Sequence, residues 1–169
     1  MNHIVQYYVE GEDEKKLIDV LKTDMRLIIP GKVQKLNVVE QQIKKTHFIN
    51  MKNHTMAVLV FDTDTGKEDI LNKNIEILKQ CSLVSEVVTI PQVKNLEDEL
   101  IRCCDIKDIK ELLGSKSKKD FKKDFIKVEN LKNKLLEHKF EFKKLWIKLP
   151  ENGYKGILNK ADKIRNSCF

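Results

Sequence analysis

"TMAVLVFD", residues 55–62, is a continuous apolar run that ends on an acid, and "TDTG" (63–66) breaks it. An unbroken apolar run of strand length reads as a central parallel strand, covered on both faces. The flanking chain agrees. "HIVQYYV" (3–9), rich in β-branched and aromatic residues, predicts a first strand. Past Gly11, Leu17, Val20 and Leu21 recur at helical spacing behind a first turn of acids, which suits the positive end of a helix. "PG" at Pro30 and Gly31 marks a turn, and "KVQKLNVV" (32–39) predicts a second strand. The polar stretch around Asn50, Asn53 and His54 predicts an irregular connection or a short helix.

Downstream the alternation continues. "KEDILNKNIEILKQ" (67–80) predicts a helix with Ile70, Asn74, Ile77 and Leu78 on one face. "LVSEVVTI" (83–90) predicts a fourth strand, ended by Pro91, and "NLEDELIRCC" (95–104) a short helix with Leu96, Leu100 and Ile101 inward. Strands alternating with helices predict an α/β fold with a mainly parallel central sheet of about four strands. Ligands of such sheets bind at the carboxyl ends of the strands.

Past Leu113 the pattern changes. Residues 115–139 place Phe121, Phe125, Val128, Leu131 and Leu135 at steps of four and three, an apolar stripe on a lysine-rich helix. Ser117 with Asp120 predicts its N-terminal cap. "FEFKKLWIKLP" (140–150) reads as a last strand and "GILNKADKIRN" (156–166) as a terminal helix. Tyr7, Tyr8, Phe121, Phe125 and Trp146 are assigned to the core rather than to base stacking.

A chain of 169 residues supports one domain with a real core. Its 41% hydrophobic and 34% charged content describes a soluble globular protein. No apolar run approaches the ~20 residues of a membrane span, and no basic-then-apolar start marks a signal peptide. Cys81, Cys103, Cys104 and Cys168 form no C-x-x-C pair, and His3, His47, His54 and His138 are scattered, which argues against zinc. Free thiols without a signal peptide suit a reducing cytoplasm. There are 29 lysines and three arginines in the chain, whose net charge is +6. Residues 115–148 carry 12 lysines against five acids, a net +7, so the remainder is near −1. A near-neutral body with a basic C-terminal third points to a polyanion partner, against the plainer reading of a solubilising lysine surface.

Two acidic clusters fall at equivalent places. Glu10 ends the first predicted strand, and Asp62 and Asp64 end the third. In a parallel sheet both lie on the carboxyl edge. Crowded carboxylates resist ionising, and a hard divalent cation removes that penalty. Mg²⁺ takes one or two carboxylates plus water and phosphate oxygens. D-x-D suits it because alternate strand residues point to one side.

A strand-ending E-G paired with a later strand-ending D-x-D resembles the TOPRIM domain of topoisomerases, bacterial primases, OLD-family nucleases and small RloB-like proteins. The resemblance covers residues 1–104. It implies a Rossmann-like TOPRIM fold with a core at 1–113, and leaves 114–169 as a basic helical extension packed on it. In that family the first-strand glutamate, here Glu10, is implicated in acid–base chemistry and metal organisation, and the D-x-D pair, here Asp62 and Asp64, supports the metal. Topoisomerase and primase architectures need further domains. Glu14, one helical turn past Glu10, and Glu97 in "VKNLEDEL" look like the additional acids of the OLD branch. OLD-type sites also use a downstream lysine, for which Lys155 and Lys160 are the candidates. The resemblance implies a Mg²⁺- or Mn²⁺-dependent nuclease acting on DNA or RNA in anti-phage defence. Glu10, Asp62 and Asp64 would hold one ion, and Glu14 and Glu97 would help with a second. The absent ATPase domain implies action alone or with a separate ATPase partner. Sheet edges that a partner often covers leave a homodimer open.

Each residue has a plainer reading: capping for Glu10 and Asp62, an Asx-turn for Asp64, a first-turn acid for Glu14 and Glu97, and solvated surface for Lys155 and Lys160. Two other functions compete. One is a TOPRIM-like module that binds nucleic acid or an ATPase and cuts nothing. The other is phosphoryl transfer to a small molecule from a nucleophilic Asp62, which leaves Glu10 unexplained.

Overall fold

The apolar run at 55–62 forms the strand on which the sheet is built. The computed structural model describes residues 4–151 and 153–166, so His3 and Cys168 lie outside the described residues. The strands are β1 (Ile4–Val9), β2 (Lys32–Lys35), β3 (Thr55–Asp62) and β4 (Val84–Gln92). They make one sheet in the order β2-β1-β3-β4 with every pairing parallel. β3 has a neighbour on each side and is buried from Thr55 to Phe61, which is why its sequence does not alternate. Among the described residues five α-helices accompany the sheet: α1 (Glu12–Asp19), α2 (Asp69–Gln80), α3 (Leu96–Cys103), α4 (Lys118–Lys127) and α5 (Leu131–Glu137). The chain is an α/β protein.

Strand parity divides the core in two. Val5, Tyr7, Val9, Met56, Val58, Val60, Val88 and Ile90 face a cluster with Leu17 and Leu21, Leu96 and Leu100, Phe121 and Phe125, Leu131 and Leu135, and Trp146. Tyr8, Ala57, Leu59, Phe61 and Val87 face the other, with Leu71 and Leu78 of α2 and Val38, Val39 and Ile43. Both faces are therefore covered, as an all-parallel sheet requires. Tyr7, Tyr8, Phe121, Phe125 and Trp146 are all core residues.

Several predicted boundaries move for identifiable reasons. β4 runs through Pro91 to Gln92, in register with Phe61 and Asp62. It is an edge strand, where a proline costs no ladder bond on its open side. β2 stops at Lys35, and Val38 and Val39 leave the sheet to pack in the second cluster. The buried face of α2 is Leu71, Asn74 and Leu78, one residue on from Ile70. Asn74 is satisfied there: it accepts from the Ile43 N–H at 2.7 Å and donates to the Val38 and Gln41 carbonyls at 2.8 Å each. In α3, Glu99 rather than Ile101 is buried.

The C-terminal third differs most. The single predicted helix is two, because Val128 turns extended (ψ 128°) after α4. That break lets Phe121 and Phe125 and then Leu131 and Leu135 reach the same core cluster. Ser117 caps α4 by accepting from the Asp120 N–H at 3.1 Å. Residues 140–150 are not a strand: Phe142–Lys144 is a 3-10 turn and Trp146 has φ 60°. The open edge of β4 is taken instead by residues 158–160, where the Thr89 hydroxyl donates to the Leu158 carbonyl and the Lys160 N–H donates to the Thr89 carbonyl. The predicted terminal helix shrinks to a 3-10 turn, Ala161–Ile164. No helix among the described residues is long and apolar enough to cross a membrane.

Candidate functional site

The parallel pairing of β1 with β3 delivers two carboxylates to the same edge of the sheet. Tyr8 is level with Leu59, so Glu10 continues level with Phe61, one residue short of Asp62. Parity then separates them. Glu10 follows the Tyr8 and Phe61 face, and Asp62 follows the Val58 and Val60 face. Asp64 lies past the end of the strand, exposed in the turn that Gly66 completes at φ 66°. The D-x-D acids are thus a strand end and a turn residue, not two alternate strand residues.

Asp62 accepts from the Gln92 amide at 2.8 Å, and the Trp146 indole N–H donates to the other end of that amide at 3.4 Å. Burial, against the pull of the Gln92 bond, pushes the Asp62 carboxyl up to about 8, and the charges of Glu10, Asp64 and Glu97 add to the rise. Glu14 is buried in the first turn of α1 and accepts from the Gly11 N–H at 2.9 Å. Burial first, then the adjacent Asp13 carboxylate and Asp62, push it up to about 9. Glu10 is raised by burial and by Asp64, Glu40 and Asp13, with Lys122 opposing. Gly11 is extended, at φ −139°, so a turn does not require it. A Cβ there would stand 2.8 Å from Asp13 Oδ1 and 3.2 Å from Glu14 Oε2.

The basic segment enters this cluster. Lys122 of α4 lies 3.3 Å from Glu97 and 3.9 Å from Asp13. Partial burial works against its charge, and the carboxylates of Glu97 and Asp13 outweigh it and raise its pKa. Glu97, in the first turn of α3, is therefore both a helix-favoured acid and a member of the cluster. The other buried acid of α3, Glu99, has a structural role. Its oxygens accept from the Val93 N–H at 3.0 Å and the Trp146 N–H at 3.1 Å, and Arg102 lies 2.7 Å away.

The five predicted acids, Glu10, Glu14, Asp62, Asp64 and Glu97, come together: the charges of Asp64 and Glu97 reach Asp62, that of Asp64 reaches Glu10, and that of Asp62 reaches Glu14, adding to the rise that burial causes in each of the three. The two predicted lysines do not join them. Lys160 Nζ is 3.5 Å from the Val87 carbonyl, five residues before the end of β4 and so ~17 Å from that edge. Lys155 is exposed and makes no side-chain hydrogen bond or ion pair among the described residues, although its neighbour Tyr154 packs on Phe61 with ring centroids 5.7 Å apart. Sequence reasoning missed Asp13, Gln92 and Lys122. Gln92 carries a readable signal, as a polar residue at the strand end level with Asp62. Lys122 carries a weaker one, next to Phe121 on the buried stripe.

The donor set is all oxygen, which suits a hard cation. Among the described residues, no three His, Cys, Asp or Glu side chains form a group that could hold a metal ion as they stand. A Mg²⁺ ion needs only one or two of them, the rest being water and phosphate oxygens. The charge of Asp62 reaches Glu14 and that of Asp64 reaches Glu10, so either couple could supply such a pair. Compared with protein families, curated proteins and solved structures, the chain matches none of them.

Proposed function

We propose that this chain is a Mg²⁺- or Mn²⁺-dependent nuclease acting on DNA or RNA, with a TOPRIM-like core (1–113) and a lysine-rich C-terminal extension (114–169), in anti-phage defence. One observation carries the reading: Glu10, the residue after β1, and Asp62, the last residue of the adjacent parallel strand β3, meet at one end of the sheet, where the proton affinities of both are raised. Groups held in an unfavourable charge state at the ligand-binding edge of an α/β sheet are candidates for function. Asp62, Glu14, Glu10 and Asp64 would hold the ion. When bound, it offsets negative charge on the oxygens of a phosphodiester undergoing in-line displacement. Alternatively, Glu10, whose pKa burial and then the neighbouring carboxylates raise, would give a proton to the leaving oxygen instead of binding the ion. The exposed lysines of α4, Lys118, Lys119, Lys123 and Lys127, would track the backbone without reading bases.

The test is incubation of the protein with plasmid, single-stranded DNA and tRNA in Mg²⁺ or Mn²⁺. Cleavage by the wild type and none by Asp62→Ala/Asp64→Ala supports the proposal. It fails if no substrate is cut, or if the variant cuts equally well. A second reading, a scaffold that binds nucleic acid or a partner ATPase without cutting, is favoured by Lys122, which already supplies a cation to Glu97 and Asp13. Calorimetric titration separates the two, because the scaffold does not require Mn²⁺ to bind at these acids.

A further inference from the structure

One cleft opens against the exposed turn of the acidic edge. It has a volume of ≈ 320 Å³, and its walls include Asp64, Thr65, Val93, Lys94, Lys148 and Pro150. Three separate segments build it: the turn after β3, the chain leaving β4, and the irregular stretch after Trp146. All three are tied down. The Thr63 N–H donates to the Gln92 carbonyl at 3.1 Å and to the Lys94 carbonyl at 2.9 Å, and the Thr63 hydroxyl donates to Gln92 again at 2.9 Å. Trp146, from which the third wall hangs, is buried and held through its N–H by Glu99 at 3.1 Å.

The lining chemistry is two-sided. Lys94 is exposed and makes no ion pair among the described residues. Lys148 pairs with Glu151 at 3.3 Å, an exposed contact that a phosphate can replace. Beside these cations the lining holds the acids Asp64 and Glu151, the Thr63 and Thr65 hydroxyls, and an apolar part made by Pro150 and the edge of the buried Val93; the adjacent Ile147 and Leu149 are 60% and 65% exposed. Cations next to apolar surface fit a ligand with a charged backbone and flat, poorly hydrated rings, once the exposed Glu151 releases Lys148. The volume sits at the small end of the ~300–1,000 Å³ range of small-molecule sites. It suits one nucleotide. A base stacked in a duplex would have to leave the stack to enter.

We infer that this cleft is a single-strand subsite: it takes one unstacked nucleotide of a polynucleotide, with its flanking phosphates on Lys94 and Lys148 and its base against Val93 and Pro150. The inference rests on the proposed nuclease reading for placing the scissile strand at this edge. It separates the role of α4, which would follow backbone charge over a distance, from that of the cleft, which selects strand form. Asp64, which shares this lining with the two lysines, would mark the side on which the acids meet the strand.

The experiment is fluorescence anisotropy in EDTA, with labelled DNA and RNA single strands of about 12 nucleotides and a duplex of the same length. Wild type is compared with Lys94→Ala/Lys148→Ala and with Lys73→Ala/Lys107→Ala, which removes the same charge from exposed positions outside the cleft. All four lysines are surface residues, and a thermal melt checks that each variant folds. The cleft variant is expected to bind single strands about fivefold more weakly, and its log K against log salt slope should fall by about 1.4, two phosphate contacts' worth. Lys73→Ala/Lys107→Ala should change neither. Equal losses in the two variants, an unchanged affinity in the cleft variant, or an equal loss on the duplex would each overturn the assignment. No cleavage is needed, so this result and the plasmid result can fail independently. The DNA and RNA arms show which polymer the cleft prefers.

Discussion

Replacing Asp62 by Asn should stabilise the metal-free protein, and by an amount that grows with pH. Asp62 has an ordinary pKa of 3.8 in the unfolded chain and is pushed up to about 8 in the folded one. Between those values the folded state binds more protons than the unfolded state, so stability falls as pH rises and the loss is complete above about pH 8. Four units would amount to about 6 kcal/mol if the carboxyl were cut off from water. Asp62 is only partly buried by exposure, and solvent screening brings the expected effect to about 1–3 kcal/mol. Asn keeps an oxygen to accept the Gln92 amide and carries no charge. Urea unfolding in EDTA, from about pH 4 to about pH 9, should show wild-type stability sloping down while Asp62→Asn slopes less. The gap should open from near zero at the acid end. Glu14→Gln, which keeps an acceptor for the Gly11 N–H, should behave alike, with its window extending to about pH 9. Two parallel curves would refute the reasoning, because they would mean that neither carboxyl is held in an unfavourable environment.

Three other perturbations probe the same structure. Gln92→Leu removes the bond to Asp62 and leaves the Trp146 indole N–H without its acceptor; the expected loss is about 1–3 kcal/mol in urea unfolding, with a steeper fall in stability toward high pH. Lys122→Met takes the only basic side chain ion-paired to Asp13 and Glu97 among the described residues out of the acidic cluster, and should strengthen Mn²⁺ binding about fivefold by calorimetry while changing stability by less than ~1 kcal/mol. Phe125→Ala opens a cavity in the cluster shared by α4 and the sheet and should cost about 3–5 kcal/mol. Circular dichroism and Trp146 fluorescence should lose signal in one coincident transition, since both report on that cluster.

Legibility followed the range of the interactions. The unbroken run at 55–62 announced a strand covered on both faces, because burial on two sides leaves no polar alternation to make. The alternation of strands and helices announced the α/β class, and the strand-ending acids announced the edge. Those are local signals, carried by residues close in the chain. The C-terminal third was misread where the deciding partner was distant. Residues 140–150 have strand composition, but the open edge of β4 is occupied by residues 158–160, and only the folded chain shows which segment wins it. Glu99 reads as one more first-turn acid until Val93, Arg102 and Trp146 surround it.

At the site the same division holds. Composition and order determined that carboxylates would gather where parallel strands end. The tertiary structure decided how they gather. Strand parity tips Glu10 and Asp62 toward opposite faces of the edge, and α4 brings Lys122 against Glu97 and Asp13 from 25 residues beyond Glu97 in the chain. Charge interactions act through space, so the protonation of this edge depends on contacts between segments that have no reason, in the sequence, to be read together.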